Sequence, residues 1–303
     1  MRVAFLGTSE FAVAVLRQLA ASPHAPEIVV TPPDRPRGRG RRVTPPPVAA
    51  TAKELDLALV QTESVNLPEA VERIRAASPD VGVVCAFGQL IKEPLLSELE
   101  LLNVHPSLIP RWRGAAPIER AIMAGDAETG VTIMQVTEGL DSGPVALQAR
   151  TPIGPSEDYG SLSGRLASIG GELTVAALAR RDANDLEFTP QDDSAATYAE
   201  KIRPEERRLD PGRSAEELAR VIRALCPHIG AYVELAGGDR LGVLAATPEG
   251  GGPPAGELEA SGETLRLGCS NGSLRLDTVQ PSGKRPMPAS AYLRGHRPPQ
   301  IAT

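Results

Sequence analysis

Residues 103–114 read NVHPSLIPRWRG and carry an amide, an imidazole and a hydroxyl within five residues. In an extended strand, side chains two residues apart point to the same face. Asn103 and His105 are therefore expected to project together, with Ser107 next in line if the strand continues. Two prolines in the same stretch restrict the backbone and remove hydrogen-bond donors, so a regular strand should end here. The pattern predicts a strand that delivers polar groups to a pocket at its end.

The polar groups of this stretch suit proton transfer and charge stabilisation. The Asn103 amide is a donor for a developing oxyanion, and His105 is the side chain best suited to take or give a proton near neutral pH. The ordinary alternative is an asparagine in a turn and a surface histidine, which is common for so short a pattern.

Two further stretches favour a site. Residues 138–144, EGLDSGP, follow the strand-like residues 130–136 and place Asp141 in a loop, where a carboxylate can orient His105. An aspartate beside a glycine is also common in simple turns. Residues 81–91, VGVVCAFGQLI, are typical of a buried parallel strand that runs into a loop.

These motifs resemble a known family. The sequence NVHPSLIPRWRGAAPI, followed by GDAETGVTIMQVTEGLDSGP, is similar to the signature of the folate-dependent formyltransferases. The likeness extends to FLGTSEFA at 5–12, PDRPRGRG at 33–40 and TYAEKI at 197–202. It weakens over the last hundred residues. The arginine-rich loop and the C-terminal extension point to the members of the family that act on tRNA.

The resemblance implies a reaction and its residues. The expected reaction moves a formyl group from 10-formyltetrahydrofolate to the α-amine of methionyl initiator tRNA, for translation initiation. The implied catalytic residues are Asn103, His105 and Asp141. The implied folate-binding residues are Phe87, Gly88, Gln89, Leu90, Ser107, Leu108, Ile109, Pro110, Gly139 and Leu140. The implied tRNA-binding residues are Arg35, Arg37, Arg39, Arg41 and Arg42. No metal is expected.

Composition is consistent with a folded cytoplasmic enzyme. The 303 residues are 41% hydrophobic, so a packed core is expected and bulk disorder is not. The three cysteines have no metal-ligand spacing, and their odd number disfavours a disulfide framework. We find no signal peptide and no apolar run of membrane length. We therefore expect a cytoplasmic protein, and we expect it to be a monomer.

The order of patterns predicts an α/β fold. Strands alternate with helices, which indicates a Rossmann-like, mostly parallel sheet with helices on both faces. Several short strands with glycine turns follow, and they suggest a small OB-like β-barrel. The expected domains are a catalytic domain over 1–186, a linker over 187–208 and a C-terminal barrel over 209–303 that contacts tRNA. The fingerprint G-x-G-x-x-G is absent after the first strand, which disfavours a dinucleotide site.

Residues 32–47 are too long and too rich in proline for a tight connection between strand and helix. This loop carries five arginines. It is either a solvated insertion or a basic loop that orders against the phosphates of an RNA end. The resemblance favours the second interpretation and marks Arg39 as the principal residue.

Features of the sequence disfavour three other functions. The same chemistry on another amine, such as a ribonucleotide or a nucleotide sugar, is disfavoured by the basic loop and the β-rich extension. An RNA-binding protein with an inactive catalytic fold is disfavoured because Asn103, His105 and Asp141 are all present. A nicotinamide oxidoreductase is disfavoured by the missing glycines.

Overall fold

A computed structural model describes residues 1–37, 40 and 42–296 of the chain. These residues divide into two compact units. The first unit comprises Met1–Pro117, Glu128–Pro152 and Ser163–Ala199. The second comprises Ile118–Ala127, Ile153–Leu162 and the chain from Glu200 onward.

Strands and helices alternate through most of the first 200 residues. In chain order they are β1 (Val3–Gly7), α1 (Glu10–Ala20), β2 (Pro26–Thr31), β3 (Arg35–Arg37), β4 (Arg42–Thr44), α2 (Pro47–Glu54), β5 (Leu59–Gln61), α3 (Pro68–Ala76), β6 (Val81–Cys85), α4 (Leu95–Glu98), β7 (Leu101–His105), β8 (Arg113–Gly114), α5 (Pro117–Ala124), β9 (Glu128–Gln135), β10 (Val145–Pro152), α6 (Tyr159–Asp182) and β11 (Tyr198–Ala199).

The main sheet of the first unit has the strand order β10-β9-β7-β6-β1-β2-β5. The five strands from β7 to β5 are parallel, and β9 and β10 are antiparallel additions at one edge. Every residue of β1 and β6 is buried. This burial is expected for central parallel strands, which are covered on both faces. The predicted mostly parallel sheet is confirmed.

Helices cover the two faces of this sheet. On one face, Leu6 of β1 and Val30 of β2 share a buried cluster with Ile74 of α3. On the other face, a Cβ added at Gly170 of α6 would lie 3.1 Å from Val104 of β7. Because neighbouring residues of a strand point to opposite faces, Asn103 and His105 lie on the face opposite to α6. The predicted Rossmann-like arrangement is therefore confirmed.

Two segments that were predicted without regular structure contain short strands. β3 and β4 pair as an antiparallel hairpin inside the proline-rich loop. β11 lies within the segment that was predicted to be a linker, and it pairs in parallel with β8 of the 103–114 motif. Neither strand has enough apolar alternation to be recognised from its sequence.

The second unit contains an antiparallel sheet. Its elements from residue 200 onward are α7 (Ala215–Leu225), β12 (Ala231–Glu234), β13 (Arg240–Glu249), β14 (Leu258–Ser261), β15 (Thr264–Gly268), β16 (Ser273–Pro281), β17 (Met287–Pro288) and α8 (Ala289–Gly295). The strand order is β12-β13-β16-β15-β14, with β17 on β16. The predicted short strands are present, and the pairing of β13 with β16 runs from Leu241 opposite Pro281 to Glu249 opposite Ser273. The OB-like form of this unit stays a prediction.

One ion pair joins two segments of the second unit that are far apart in sequence. The Arg120 guanidinium of α5 donates to the two Glu206 carboxylate oxygens at 2.5 and 3.1 Å. These hydrogen bonds lower the pKa of Glu206 from its ordinary 4.5 to about 2. Because the folded-state pKa is depressed, the pair stabilises the fold above pH 4.5, and this contribution is lost as the pH falls through about 2.

We predict that Arg120→Met raises the pKa of Glu206 towards 4.5. An NMR titration of the Glu206 side-chain carboxyl carbon measures this pKa directly. Arg203→Gln is the matched control, since the Arg203 guanidinium is largely exposed and approaches Glu206 only to 3.6 Å. The backbone N–H of residue 203, which donates to Glu206 Oε2 at 2.9 Å, is retained in this variant. A titration that does not change in Arg120→Met would refute the pairing.

Candidate active site

The floor of the candidate site is one row of register partners across three strands. Val84 of β6 pairs with Asn103 of β7, and Asn103 pairs with Met134 of β9. Register partners present their side chains on the same face of a sheet. All three side chains line a cavity of about 220 Å³.

Two of the predicted residues, Asn103 and Asp141, line this cavity, and His105 is buried next to Asp141. Asn103 Nδ2 donates to Asp141 Oδ1 at 3.2 Å. His105 Nδ1 lies 3.6 Å from Asp141 Oδ2, which is a charge contact rather than a hydrogen bond. The Gly114 N–H donates to the same Oδ2 at 2.8 Å. The structure thus brings Asn103, His105 and Asp141 together around one carboxylate.

A hydrogen bond from the His105 ring to a backbone oxygen fixes its tautomer. The ring is 4% exposed, and Nε2 lies 2.9 Å from the backbone oxygen of Trp112. A carbonyl oxygen only accepts, so Nε2 carries a proton in this arrangement. The neutral ring therefore has its lone pair on Nδ1, on the side of Asp141. A proton gained by His105 enters at Nδ1 and faces the carboxylate.

The loop that carries Asp141 reaches the site by folding back. β9 is antiparallel to β7, and Gln135 at the end of β9 pairs with Leu102 near the beginning of β7. Residues 136–144 start beside that end of β7 and return across the sheet face to bring Asp141 to His105. The sequence predicted that Asp141 meets His105 but not this route, because the direction of β9 relative to β7 leaves no local pattern.

The backbone of Asp141 has an uncommon conformation. Its φ is +46°, in the left-handed region that costs most residues about 1–3 kcal/mol. Aspartate tolerates this region better than most side chains. Gly114 has a φ of +119°, which suits glycine alone. Both unusual backbone positions therefore lie at the two ends of one hydrogen bond, between Gly114 and Asp141.

Sequence reasoning missed the side chains that hold this arrangement from the segment around β11. Gln191 Nε2 donates to the backbone oxygens of Asp141 at 3.0 Å and Gly143 at 2.6 Å. Thr197 Oγ1 accepts from the N–H of Trp112 at 2.9 Å. The segment is polar and has no period, so its composition indicates a linker. The resemblance at 197–202 was the only available signal.

The opposite wall of the cavity is the loop after β6. Gln89 Oε1 accepts from the Val65 N–H at 2.7 Å, and Gln89 Nε2 donates to the Thr62 oxygen at 3.0 Å. Leu90 and Leu140 line the cavity and are 67% and 64% exposed. Large exposed leucines at a concave site are typical of surfaces that a ligand covers.

The other predicted residues of this loop have different surroundings. Phe87 is buried in the core, and its backbone oxygen accepts from Thr8 Oγ1 at 2.6 Å. Gly88 lines a neighbouring cavity together with Thr8 and Gln89. Gly139 is part of the first cavity wall. The wall of the first cavity therefore contains Asn103 and Asp141 together with Gln89, Leu90, Gly139 and Leu140. Phe87 is not part of this wall, because it is buried in the core.

Residues 107–110 pack against β9 on the same sheet face as His105, since the hydroxyl of Thr132, the register partner of His105, donates to the Ser107 oxygen at 2.7 Å. Ser107 does not project with Asn103 and His105, because β7 ends at His105 and the Ser107 hydroxyl donates to the Arg111 oxygen at 2.6 Å. The Ile109 oxygen accepts from Gln148 Nε2 at 2.8 Å. Among the described residues, the wall of the 220 Å³ cavity does not include Ser107, Leu108, Ile109 or Pro110.

The predicted tRNA-binding arginines are only partly within the described chain. Arg35 is exposed and pairs with Glu63 at 2.7 Å, and Arg42 is exposed on β4. The backbone of Arg37 is part of β3. Arg39 and Arg41 lie outside the described residues.

The described residues contain neither a metal-binding cluster nor a helix that could span a membrane. No group of three histidine, cysteine, aspartate or glutamate side chains is arranged to hold a metal ion. None of the helices has both the length and the apolar character needed to cross a bilayer. Cys85 on β6 is fully buried, and burial raises the pKa of its thiol, so it behaves as a core residue.

Comparison with known families agrees with the geometry. A model described as formyl transferase matches residues 1–178, and one described as formyl transferase, C-terminal domain, matches residues 201–297. The chain belongs to the formyl transferase family.

Relatives within the formyl transferase family match nearly the whole chain. A methionyl-tRNA formyltransferase of Halorhodospira halophila is 45% identical over 98% of this chain and 96% of its own length. A methionyl-tRNA formyltransferase of Pseudomonas paraeruginosa is 42% identical over 100% of this chain and 98% of its own length.

Solved structures of formyl transferases and related proteins share the fold at lower identity. HypX from Aquifex aeolicus, in complex with tetrahydrofolic acid, has a TM-score of 0.66 and 20% identity. The match covers 97% of this chain and 47% of HypX. The N-formyltransferase from Helicobacter canadensis, in complex with folinic acid and dTDP-3-aminofucose, has a TM-score of 0.66 and 17% identity. The match covers 90% of this chain and 98% of that protein. These likenesses show the fold.

The tight return of the Asp141 loop generates a stability prediction. A Cβ at Gly143 would lie 1.9 Å from the backbone oxygen of Gln135, where no real contact is possible. We expect Gly143→Ala to lower the free energy of unfolding by about 1–3 kcal/mol, as overpacking does. Urea denaturation measures this change.

Gly164→Ala is the matched control. A Cβ at Gly164 in α6 meets nothing within 4 Å, so this variant should gain about 0.5–1 kcal/mol from better helix propensity. Equal unfolding free energies for Gly143→Ala and the wild type would mean that the loop relaxes without cost.

Proposed function

We propose that this protein transfers a formyl group from 10-formyltetrahydrofolate to the α-amino group of methionyl initiator tRNA, for translation initiation. The observation that carries the proposal is the Asp141 carboxylate, which lines the cavity, accepts from Asn103 and faces Nδ1 of His105. The tRNA substrate is supported by the full-length match to methionyl-tRNA formyltransferases at 42–45% identity.

The cavity suits one end of a folate. Its walls combine apolar side chains of Val84, Ile91, Met134 and Val136 with the backbone of the Asp141 loop. Flat heteroaromatic rings need this combination, since their faces are apolar and their edges hydrogen-bond. Ligand pockets commonly measure about 300–1,000 Å³, so a cavity of about 220 Å³ takes the ring system and leaves the rest of the folate outside. The exposed Leu90 and Leu140 then cover the bound ring.

Asn103 is proposed to stabilise the transition state. Its amide has two N–H donors, and one donates to Asp141 Oδ1. The second is proposed to donate to the oxyanion that develops on the formyl oxygen as the amine attacks. Removal of one such donor typically reduces kcat about 100- to 1,000-fold.

His105 is proposed to move the proton. The amine nitrogen forms a bond to the formyl carbon, the bond from that carbon to N10 breaks, and the proton shed by the amine ends on N10. His105 receives this proton at Nδ1, directly or through water, and Asp141 balances the charge of the imidazolium. Such transfer contributes about 100- to 10,000-fold. The bond to Trp112 keeps the ring in the accepting tautomer.

The basic hairpin and the C-terminal residues are proposed to contact tRNA. Arginine binds phosphates and base edges in two-pronged geometry, which suits Arg35, Arg37, Arg39, Arg41 and Arg42 for an acceptor end. We propose residues 1–186 as the catalytic domain, 187–208 as the connection and 209–303 as an OB-like domain that contacts tRNA. A monomer acting in the cytoplasm completes the proposal.

The test of the proposal is transfer of a radiolabelled formyl group from 10-formyltetrahydrofolate. The acceptors are charged initiator methionine tRNA and charged elongator methionine tRNA. We expect rapid transfer to the initiator alone. Folate binding without transfer to either tRNA would keep the site and disprove the acceptor.

We predict that His105→Ala lowers kcat about 100- to 10,000-fold, because the proton acceptor is lost. Asn103→Ala should lower kcat about 100-fold or more. The tRNA dissociation constant should change little in both variants, because neither residue is proposed to bind tRNA. Turnover like that of the wild type in His105→Ala would remove His105 from the mechanism.

We predict that Arg39→Ala raises the KM for tRNA far more than the KM for folate. The same variant should reduce the slope of log affinity against log salt by about 1, because one phosphate contact is lost. Arg150→Ala is the matched control, since Arg150 is exposed on β10 and pairs with Glu128. Equal tRNA dependence of the two variants would make the basic loop a bystander.

A further inference from the structure

The oxygen of the Gln191 side-chain amide accepts two hydrogen bonds, and its nitrogen donates to two backbone oxygens. Its Oε1 accepts from Arg113 Nε at 3.0 Å and from Arg113 Nη2 at 2.6 Å. Its Nε2 donates to the backbone oxygens of Asp141 and Gly143 at 3.0 and 2.6 Å. Because an arginine only donates and a carbonyl oxygen only accepts, this arrangement fixes which end of the amide is oxygen and which is nitrogen.

Arg113 is itself tightly held. It is 4% exposed, it belongs to β8, and it pairs with Asp193 at 2.6 Å. A buried guanidinium needs every available partner, because an unpaired buried charge is costly. The position of the Gln191 oxygen is therefore set by a rigid neighbour, and the position of its amide nitrogen follows.

Asp141 is the residue that needs such support. Its left-handed backbone persists only if surrounding contacts over-determine it. Its carboxylate is held by Asn103, which takes part in the proposed chemistry, and by the backbone N–H of Gly114. Gln191 instead holds the Asp141 backbone oxygen, and it contacts neither Asn103 nor His105 through any hydrogen bond of the described chain.

We infer that Gln191, oriented by Arg113, is a positioning residue for Asp141. This inference rests on the proposed function and deepens it. Gln191 holds the carbonyl groups on either side of Ser142, and this fixes the distance of the Asp141 carboxylate from Nδ1 of His105. The segment that was predicted as a linker thus supplies a part of the active site.

Gln191→Glu removes the donor contacts of this side chain and keeps its acceptor contacts. Glutamate still accepts both hydrogen bonds from Arg113, but it cannot donate to the two carbonyl oxygens and repels them. We expect kcat to fall about 10- to 100-fold, as is typical when an outer partner of a functional group is lost. The KM for tRNA should stay unchanged. Gln18→Glu is the matched control, since Gln18 Nε2 donates to one backbone oxygen, that of Ser168 in α6.

A double-mutant cycle separates positioning from general bracing of the loop. In an Asp141→Asn background, Gln191→Glu should have less than about a threefold further effect, because residues that act as a unit are non-additive. An equal loss of kcat in both backgrounds would overturn the inference. A kcat of Gln191→Glu within about twofold of the wild type would overturn it as well.

A crystal structure of Gln191→Glu keeps the inference testable apart from activity. We expect the Gly114 to Asp141 hydrogen bond to be lost in that structure, and an undisplaced Asp141 would contradict the inference. If the wild type transfers no formyl group, the proposed function fails, while the displacement of Asp141 still decides the role of Gln191. If Gln191→Glu does not fold, Gln191→Ala carries the same tests.

Discussion

The carboxylate of Asp141 is the contact on which the candidate site depends. Its two oxygens accept from the Asn103 amide and the Gly114 N–H, and one of them faces Nδ1 of His105. Without this carboxylate, a strand end and a glycine turn would lose their common partner, and a buried imidazole would gain a proton with no nearby anion. The site is therefore an electrostatic arrangement built around one half-buried charge.

The topology of the sheet explains how one aspartate serves both neighbours. A parallel β9 would have ended at the same sheet edge as His105, and its following loop would have started there. The antiparallel strand delivers the loop to the opposite end, and the loop must return over the sheet face. This return creates the cavity, because its backbone forms one wall above the row of Val84, Asn103 and Met134. The tight passage at Gly143 and the left-handed Asp141 are consequences of that return.

Much of the fold was readable from local patterns, and the reasons differ from element to element. The i, i+2 spacing of Asn103 and His105 predicted their common face, since that period is a property of every strand. The alternation of strands and helices predicted the mostly parallel sheet, because a crossover helix usually joins parallel strands. Ser107 does not share that face because β7 ends at His105, and the two prolines of the stretch predicted such an end. Gln191 and Thr197 were missed because their partners are backbone groups about 50 to 85 residues away in sequence, and such partners leave no local pattern.

The proposed role of His105 as proton acceptor is tested most directly by ¹⁵N NMR, which shows the tautomer of its ring in solution. The chain has four histidines, so ¹⁵N-labelled imidazole signals can be assigned by comparison with a His105→Asn variant. We predict that the neutral ring of His105 carries its proton on Nε2, and that Nδ1 gains the second proton on acidification. A neutral ring protonated on Nδ1 would contradict it, because that nitrogen would already donate to Asp141 and could not accept the proton of the amine.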